Sequence, residues 1–205
     1  VRIACLEKEI AFEFSTKNVQ TPGHPPTPEL LRSNPFGKVP VLNDGPFVLY
    51  ETAAICRYVD DRFPGPLLRP VSAQKVARMN QWISLAMTRL DQNIIRNFVI
   101  PMVLTDDAKR HDPGFAIEMN RMADIIRHDL SVLDPAYADG WICGDRFTIP
   151  DMMIMPMIHY LNAMPGGQEM LADAPNVEDA FMRFRARGSA AQTDPLLPEK
   201  LLKSA

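Results

Sequence analysis

Asn34-Pro35-Phe36-Gly37-Lys38-Val39-Pro40-Val41-Leu42, continued through Phe47-Val48-Leu49-Tyr50 into Glu51-Thr52-Ala53-Ala54-Ile55, decides how the rest of the chain is read. Val39-Pro40-Val41-Leu42 and Phe47-Val48-Leu49 are short β-branched and aromatic runs parted by the turn signal Asn43-Asp44-Gly45-Pro46, so they predict an antiparallel hairpin. Pro40 at the head of a strand cannot donate to a ladder and suits a cis bond. A cis Val39-Pro40 bond would turn the Val39 N–H and C=O outward, where an extended peptide can pair with them as an added strand.

After the second strand, Ala53-Ala54-Ile55-Cys56-Arg57-Tyr58-Val59 has helical periodicity, and Thr52 stands at or near its N-cap. Free amides and the positive end of the helix dipole there favour a carboxylate, and Glu51 beside them can accept from an ammonium. A carboxylate next to an ammonium is an amino-acid head, and a strand edge suits a peptide behind it. The same residues also suit an ordinary hairpin followed by an N-capped helix.

Asn-Pro-Phe-Gly-Lys-Val-Pro-Val-Leu followed by Tyr-Glu-Thr-Ala-Ala-Ile resembles the glutathione-site signature of cytosolic glutathione S-transferases. The resemblance implies a fold of two parts, an N-terminal thioredoxin-like domain and an all-helical C-terminal domain. It also implies the ligand, glutathione, whose γ-glutamyl head would meet Glu51 and Thr52. The cysteinyl backbone would pair with Val39 beside Pro40. Lys38 and His24 match positions that bind the glycine carboxylate in several classes of the family. On the residues alone, Lys38 also suits a solvated edge lysine that discourages strand pairing, and His24 an exposed residue of a Pro-rich loop.

With 205 residues, 46% of them hydrophobic, the chain can build one large or two small cores. A net charge of -3 argues against nucleic acid as the main partner. No apolar run is long enough for a membrane span and no signal peptide is evident. Cys5, Cys56 and Cys143 are scattered without metal-ligand or Cys-x-x-Cys spacing, which fits a reducing cytoplasm and predicts neither a disulfide framework nor a metal site.

Val1 to Lys8 reads as the later turns of a helix, Ala11-Phe12-Glu13-Phe14-Ser15 alternates like a strand, and Val19 to Pro28 is an irregular loop carrying His24. With a short helical turn at Pro28 to Arg32, the order is helix, strand, loop, hairpin, helix: the thioredoxin-like plan without its first strand. We therefore expect residues upstream of Val1, and the family resemblance places the activating Ser, Tyr or Cys among them. The expected domains are 1–64 for glutathione binding, 65–72 as a Pro/Gly-punctuated linker, and 73–205 as the helical part.

Val76, Met79, Ile83, Met87, Leu90 and Ile94 mark one apolar face of a long helix, opened by Ser72 and ending before Pro101. Phe115, Met119, Met122, Ile126, Leu130 and Leu133 repeat the pattern after Asp112-Pro113, an N-cap and N1 pair. Thr148 and Asp151 have capping-box spacing, with Phe147 and Met152 placed for a hydrophobic staple. The block also resembles the family's second-domain motif, so Asp151 is assigned to structure. Arg183, Arg185 and Arg187 read as a solvated basic face, and the tail from Pro195 as a docked or fraying turn.

Glutathione's thiol, with a pKa of about 8.5, is a poor nucleophile at neutral pH. Lowering it by about two units takes about 3 kcal/mol, which one hydroxyl donor can largely supply. The function the resemblance implies is a glutathione transferase in which thiolate attacks a small apolar electrophile lying between the domains, against the Met102 region. The same site would also serve a glutathione-dependent isomerase, a disulfide oxidoreductase or peroxidase, or a noncatalytic glutathione-binding scaffold. The resemblance further implies a homodimer.

Overall fold

The computed structural model describes residues 1–16 and 25–193. The chain forms two compact units, Val1–Arg69 and Pro70–Ala205. His24, and the tail beyond Thr193, lie outside the described residues.

The first unit runs α1 (Arg2–Glu7), α2 (Pro28–Ser33), β1 (Val41–Asp44), β2 (Phe47–Tyr50) and α3 (Thr52–Arg62). Thr27 caps α2 by accepting from the Leu30 N–H at 3.2 Å, and Pro28 occupies the first turn, where a missing N–H costs nothing. The strands pair antiparallel with Val41 opposite Tyr50 and Asp44 opposite Phe47. β1 begins two residues later than its predicted run, since Pro40 has no ladder donor, and β2 begins at Phe47 as predicted. Gly45 turns the two-residue loop with φ +59°, a conformation glycine adopts at no steric cost. Leu42 and Leu49, directly paired, pack against Cys5, Ile55 and Val59 together with Val1 and Ile10.

Ala11 to Ser15 is not a strand. It is exposed throughout, and among the described residues β1 and β2 pair only with each other. Alternation fits a pleat, but a strand exists only where a neighbour takes its N–H and C=O groups.

A buried ion pair closes this unit. Lys8 Nζ donates to Asp60 Oδ1 at 2.9 Å and to the Pro66 carbonyl at 3.0 Å, and the Leu68 N–H reaches the same Asp60 oxygen at 2.9 Å. A Cβ on Gly65 would stand 2.6 Å from the Lys8 carbonyl, so that close approach requires glycine. Within the span read as a linker, the residues up to Arg69 are thus fastened to α1 and α3.

The second unit begins with α4 (Ala73–Leu85), whose N-cap Ser72 accepts from the Lys75 N–H at 3.3 Å. Its helix continues as wider π-helical turns over Ala86–Val99 and returns to α winding in α5 (Ile100–Leu104). The winding corrects two expectations. Ala86, Leu90, Ile94 and Phe98 are buried at four-residue steps, while Met87, placed with Leu90 and Ile94 on one apolar face by its spacing, is 37% exposed. The helix also runs past Pro101: the Ile100 N–H donates to Ile95, five residues back, so the α ladder is already interrupted where proline's missing N–H falls.

There follow α6 (Asp107–Arg110), α7 (Pro113–Leu133), a 3₁₀ turn (Asp134–Tyr137), α8 (Ile149–Asn162), α9 (Gly167–Ala172), α10 (Pro175–Arg185) and α11 (Gly188–Ala191). On α7 Met119, Met122, Ile126, Leu130 and Leu133 are buried, as the stripe predicts. The buried Asp129 accepts from Arg89 Nε and Asn93 Nδ2, both at 2.6 Å, and so joins α7 to the π-helical turns. Asp134 receives the Asn176 and Val177 N–H groups at 2.8 and 3.2 Å, closing the start of α10. Arg183 and Arg185 are exposed, as a solvated face predicts, although Arg183 donates to the Gly140 carbonyl at 2.8 Å and lies over Trp141; Arg187 is half-buried, 4.6 Å from the Phe147 ring centroid.

Thr148 and Asp151 form the expected capping box at α8. Asp151 Oδ2 accepts from the Thr148 N–H at 2.8 Å and its hydroxyl at 2.7 Å, and Oδ1 accepts from the Ile142 N–H at 3.1 Å. Burial pushes its pKa up to about 6, against the pull of those donors toward the charged form. Burial also raises Tyr137 well above its ordinary value, with the Asp151 carboxylate adding to the shift.

Candidate functional site

The loop ahead of β1 is built by Asn34, which is 1% exposed. Its Oδ1 accepts from the Phe36 N–H at 3.0 Å, its Nδ2 donates to the Lys38 carbonyl at 2.8 Å, and its own carbonyl accepts from the Gly37 N–H at 2.8 Å. Gly37 has φ +63°, and a Cβ there would fall 2.5 Å from Pro26 Cγ, so only glycine fits the turn. This side-chain staple presents Lys38 and Val39. The sequence contains its signal, an Asn followed by Pro and then Gly, which the reading of the hairpin alone passes over.

Val39 is 50% exposed, and among the described residues neither its N–H nor its C=O enters a backbone hydrogen bond. Lys38 is exposed and forms no ion pair among the described residues. Because Val41 faces Tyr50, Val39 and Glu51 leave the same end of the hairpin.

At that end α3 begins. Glu51, not Thr52, is its N-cap; Thr52 is the first helical residue. Glu51 is exposed with φ +75° and ψ +119°, a backbone conformation rarely held by a residue with a Cβ, and its carbonyl accepts from the Ile55 N–H at 2.9 Å. Among the described residues no side chain caps this terminus, so the first-turn amides of Thr52, Ala53 and Ala54 point forward without an intrahelical acceptor. Tyr58 Oη, donating to Asp44 Oδ2 at 2.7 Å, fastens the tip of the hairpin to α3. That bond to Asp44, more than burial, raises the phenol's pKa.

The structure thus brings Lys38, Val39, Pro40, Glu51 and Thr52 to one end of the hairpin. Met102 belongs to the helical unit, where with Phe115, Met119, Met164 and Arg110 it lines a cavity of about 330 Å³. Cys5, the thiol of α1, is a core group: it is 2% exposed, and burial raises its pKa.

A small sheet with flanking helices, followed by a helical unit, and a hairpin-to-helix junction that leaves backbone groups open, define a thioredoxin-like domain joined to an all-helical one. The model of the glutathione S-transferase N-terminal domain matches residues 1–67. Glutathione S-transferase 1 of Dianthus caryophyllus is 28% identical over 211 residues, covering 97% of this chain and 89% of the relative. The stringent starvation protein A homolog of Coxiella burnetii is 30% identical over 159 residues, covering 77% of this chain and 68% of the relative. Among solved structures, glutathione S-transferase III in its apo form superposes with a TM-score of 0.76 at 26% identity, covering 96% of this chain and 92% of that one. The chain belongs to the cytosolic glutathione S-transferase family.

Proposed function

We propose that this protein is a glutathione transferase that holds glutathione at the hairpin-to-α3 junction and uses its thiolate to attack a small apolar electrophile. The observation that carries this is the open junction itself: among the described residues, a half-exposed Val39 backbone without a hydrogen-bond partner beside a helix start that no side chain closes. The cysteinyl backbone of the tripeptide pairs with the exposed Val39 as an added strand. Its γ-glutamyl carboxylate takes the Thr52 amide and hydroxyl, and its ammonium takes the Glu51 carboxylate. Lys38 and His24 receive the glycine carboxylate.

The electrophile uses the cavity at Met102, Phe115, Met119 and Met164, whose thioether walls adapt to varied apolar shapes. Similarity to the cytosolic family supports a homodimer and a cytoplasmic setting for the reaction. Calorimetric titration with glutathione tests the site. Thr52→Ala is expected to weaken binding by about 1 to 3 kcal/mol, the loss of a hydrogen bond to a charged group. An unchanged dissociation constant removes Thr52 from the site. Turnover of a chromogenic aryl halide tests the reaction; glutathione binding without turnover of either that halide or a glutathionyl mixed disulfide would make the protein a binding member rather than a transferase.

A further inference from the structure

Asn34 engages each of its polar groups inside the protein. Its N–H donates to the Leu30 carbonyl at 2.7 Å, its carbonyl accepts from the Gly37 N–H at 2.8 Å, Oδ1 accepts from the Phe36 N–H at 3.0 Å, and Nδ2 donates to the Lys38 carbonyl at 2.8 Å. The first three close the turn that follows α2. The last is not needed for that turn. Lys38 is exposed, where water can satisfy a carbonyl, yet the buried Asn34 side chain is committed to that oxygen.

The consequence falls on the next N–H. Among the described residues Val39-Pro40 is the one cis bond, so the Lys38–Val39 peptide is trans. In a planar trans peptide the C=O and N–H point in opposite directions, so the Asn34 amide that holds the Lys38 carbonyl turns the Val39 N–H away from the turn. Among the described residues that N–H has no acceptor, and Val39 is half exposed. A hydrogen bond at the carbonyl also polarises the amide and makes its N–H a stronger donor. We infer that Asn34 is a positioning residue for the tripeptide: through the Lys38 carbonyl it fixes the peptide plane in which the Val39 N–H meets the cysteinyl carbonyl of glutathione. Asn34 itself never touches the ligand, and its role rests on glutathione being the occupant of the junction. The Thr52 amide at the other end of the ligand is presented by α3 and is set independently.

Proton exchange at the Val39 and Thr52 amides, followed by NMR in the full chain with and without glutathione, separates this role from general support of the loop. In the unaltered protein, glutathione at about ten times its dissociation constant is expected to slow exchange at both amides about tenfold. Asn34→Asp keeps the side chain's shape and the acceptor for the Phe36 N–H, but sets an oxygen against the Lys38 carbonyl in place of the donor. At the same fractional saturation Thr52 stays protected and Val39 does not, and the dissociation constant for glutathione rises about tenfold. Asn34→Ser, whose neutral hydroxyl can take the Phe36 N–H but is too short to reach Lys38, is expected to do the same and serves if Asn34→Asp does not fold. Full protection of Val39 and an unchanged dissociation constant in a folded variant overturn the role of Asn34 and leave the glutathione reading standing. Loss of protection at both amides also overturns it, because Asn34 would then support the whole site rather than aim one N–H. In the unaltered protein, protection of Thr52 without Val39 overturns the role whatever the variants do. Protection of neither amide overturns the glutathione reading, and the role of Asn34 with it.

Discussion

Helices α3 and α8 start in opposite ways. At α8, Thr148 and Asp151 are buried, the carboxylate takes three donors, and nothing is left for a ligand. At α3, Glu51 is exposed with an uncommon backbone conformation, no side chain caps the turn, and the Val39 edge beside it is unpaired among the described residues. Both start with an acidic residue and a threonine close together. One pair is spent on stability and the other is left available, and the difference is where each sits relative to a core. A terminus inside a core must be closed by the protein because water cannot reach it; a terminus at an open sheet end can wait for a ligand.

Substitutions at the two starts should therefore separate cleanly. Asp151→Ala strands the Thr148 and Ile142 donors and should cost at least about 3 kcal/mol in urea denaturation. A loss below about 1 kcal/mol would mean that α8 is no better closed than α3.

The pH dependence sharpens the same contrast. With a folded pKa of about 6, above its ordinary 3.8, Asp151 binds its proton more tightly in the folded state. Its contribution to stability is fully present below the lower value and is lost as pH rises through the upper one, a change of at most about 3 kcal/mol. Asp151→Asn should flatten that segment of the stability curve, and an unaltered slope would assign the titration elsewhere.

At α3 the expected signs differ. Glu51→Gly suits φ +75° and should stabilise the fold by about 1 kcal/mol, strain relieved less the added freedom of glycine when unfolded. The same change should weaken glutathione binding; a gain in stability with undiminished binding would remove the Glu51 carboxylate from the proposed site. The smallest effect is expected at the hairpin tip. Tyr58→Phe breaks the bond to Asp44 and should cost about 0.5 to 1 kcal/mol, since the pair is only partly buried. A larger cost, or loss of glutathione binding with it, would show that the tip helps to hold the open junction in shape.

Much of this was legible from short-range signals. Gly45 marks the hairpin turn, Ser72 and Asp112 mark helix starts, and the Thr148 and Asp151 spacing marks a capping box; each depends on residues within a turn of one another. Ala11 to Ser15 misled because alternation describes one strand and says nothing of its neighbour. Met87 misled because a 3.6-residue period was laid over a segment wound more widely, which brings Ala86 to the buried face instead. The Asn34 staple was within reach of local rules, while the empty backbone of Val39 that it presents was not.

By itself the order of residues determined the hairpin, the helix starts, the apolar stripes and the resemblance to a family, because these follow from conformational preferences over a few neighbours. Only the folded chain decided that Lys8 meets Asp60 across 52 positions and that Asp129 gathers Asn93 across 36. Those meetings depend on burial and on which groups are left to satisfy one another once water is excluded, and local preference carries no information about either.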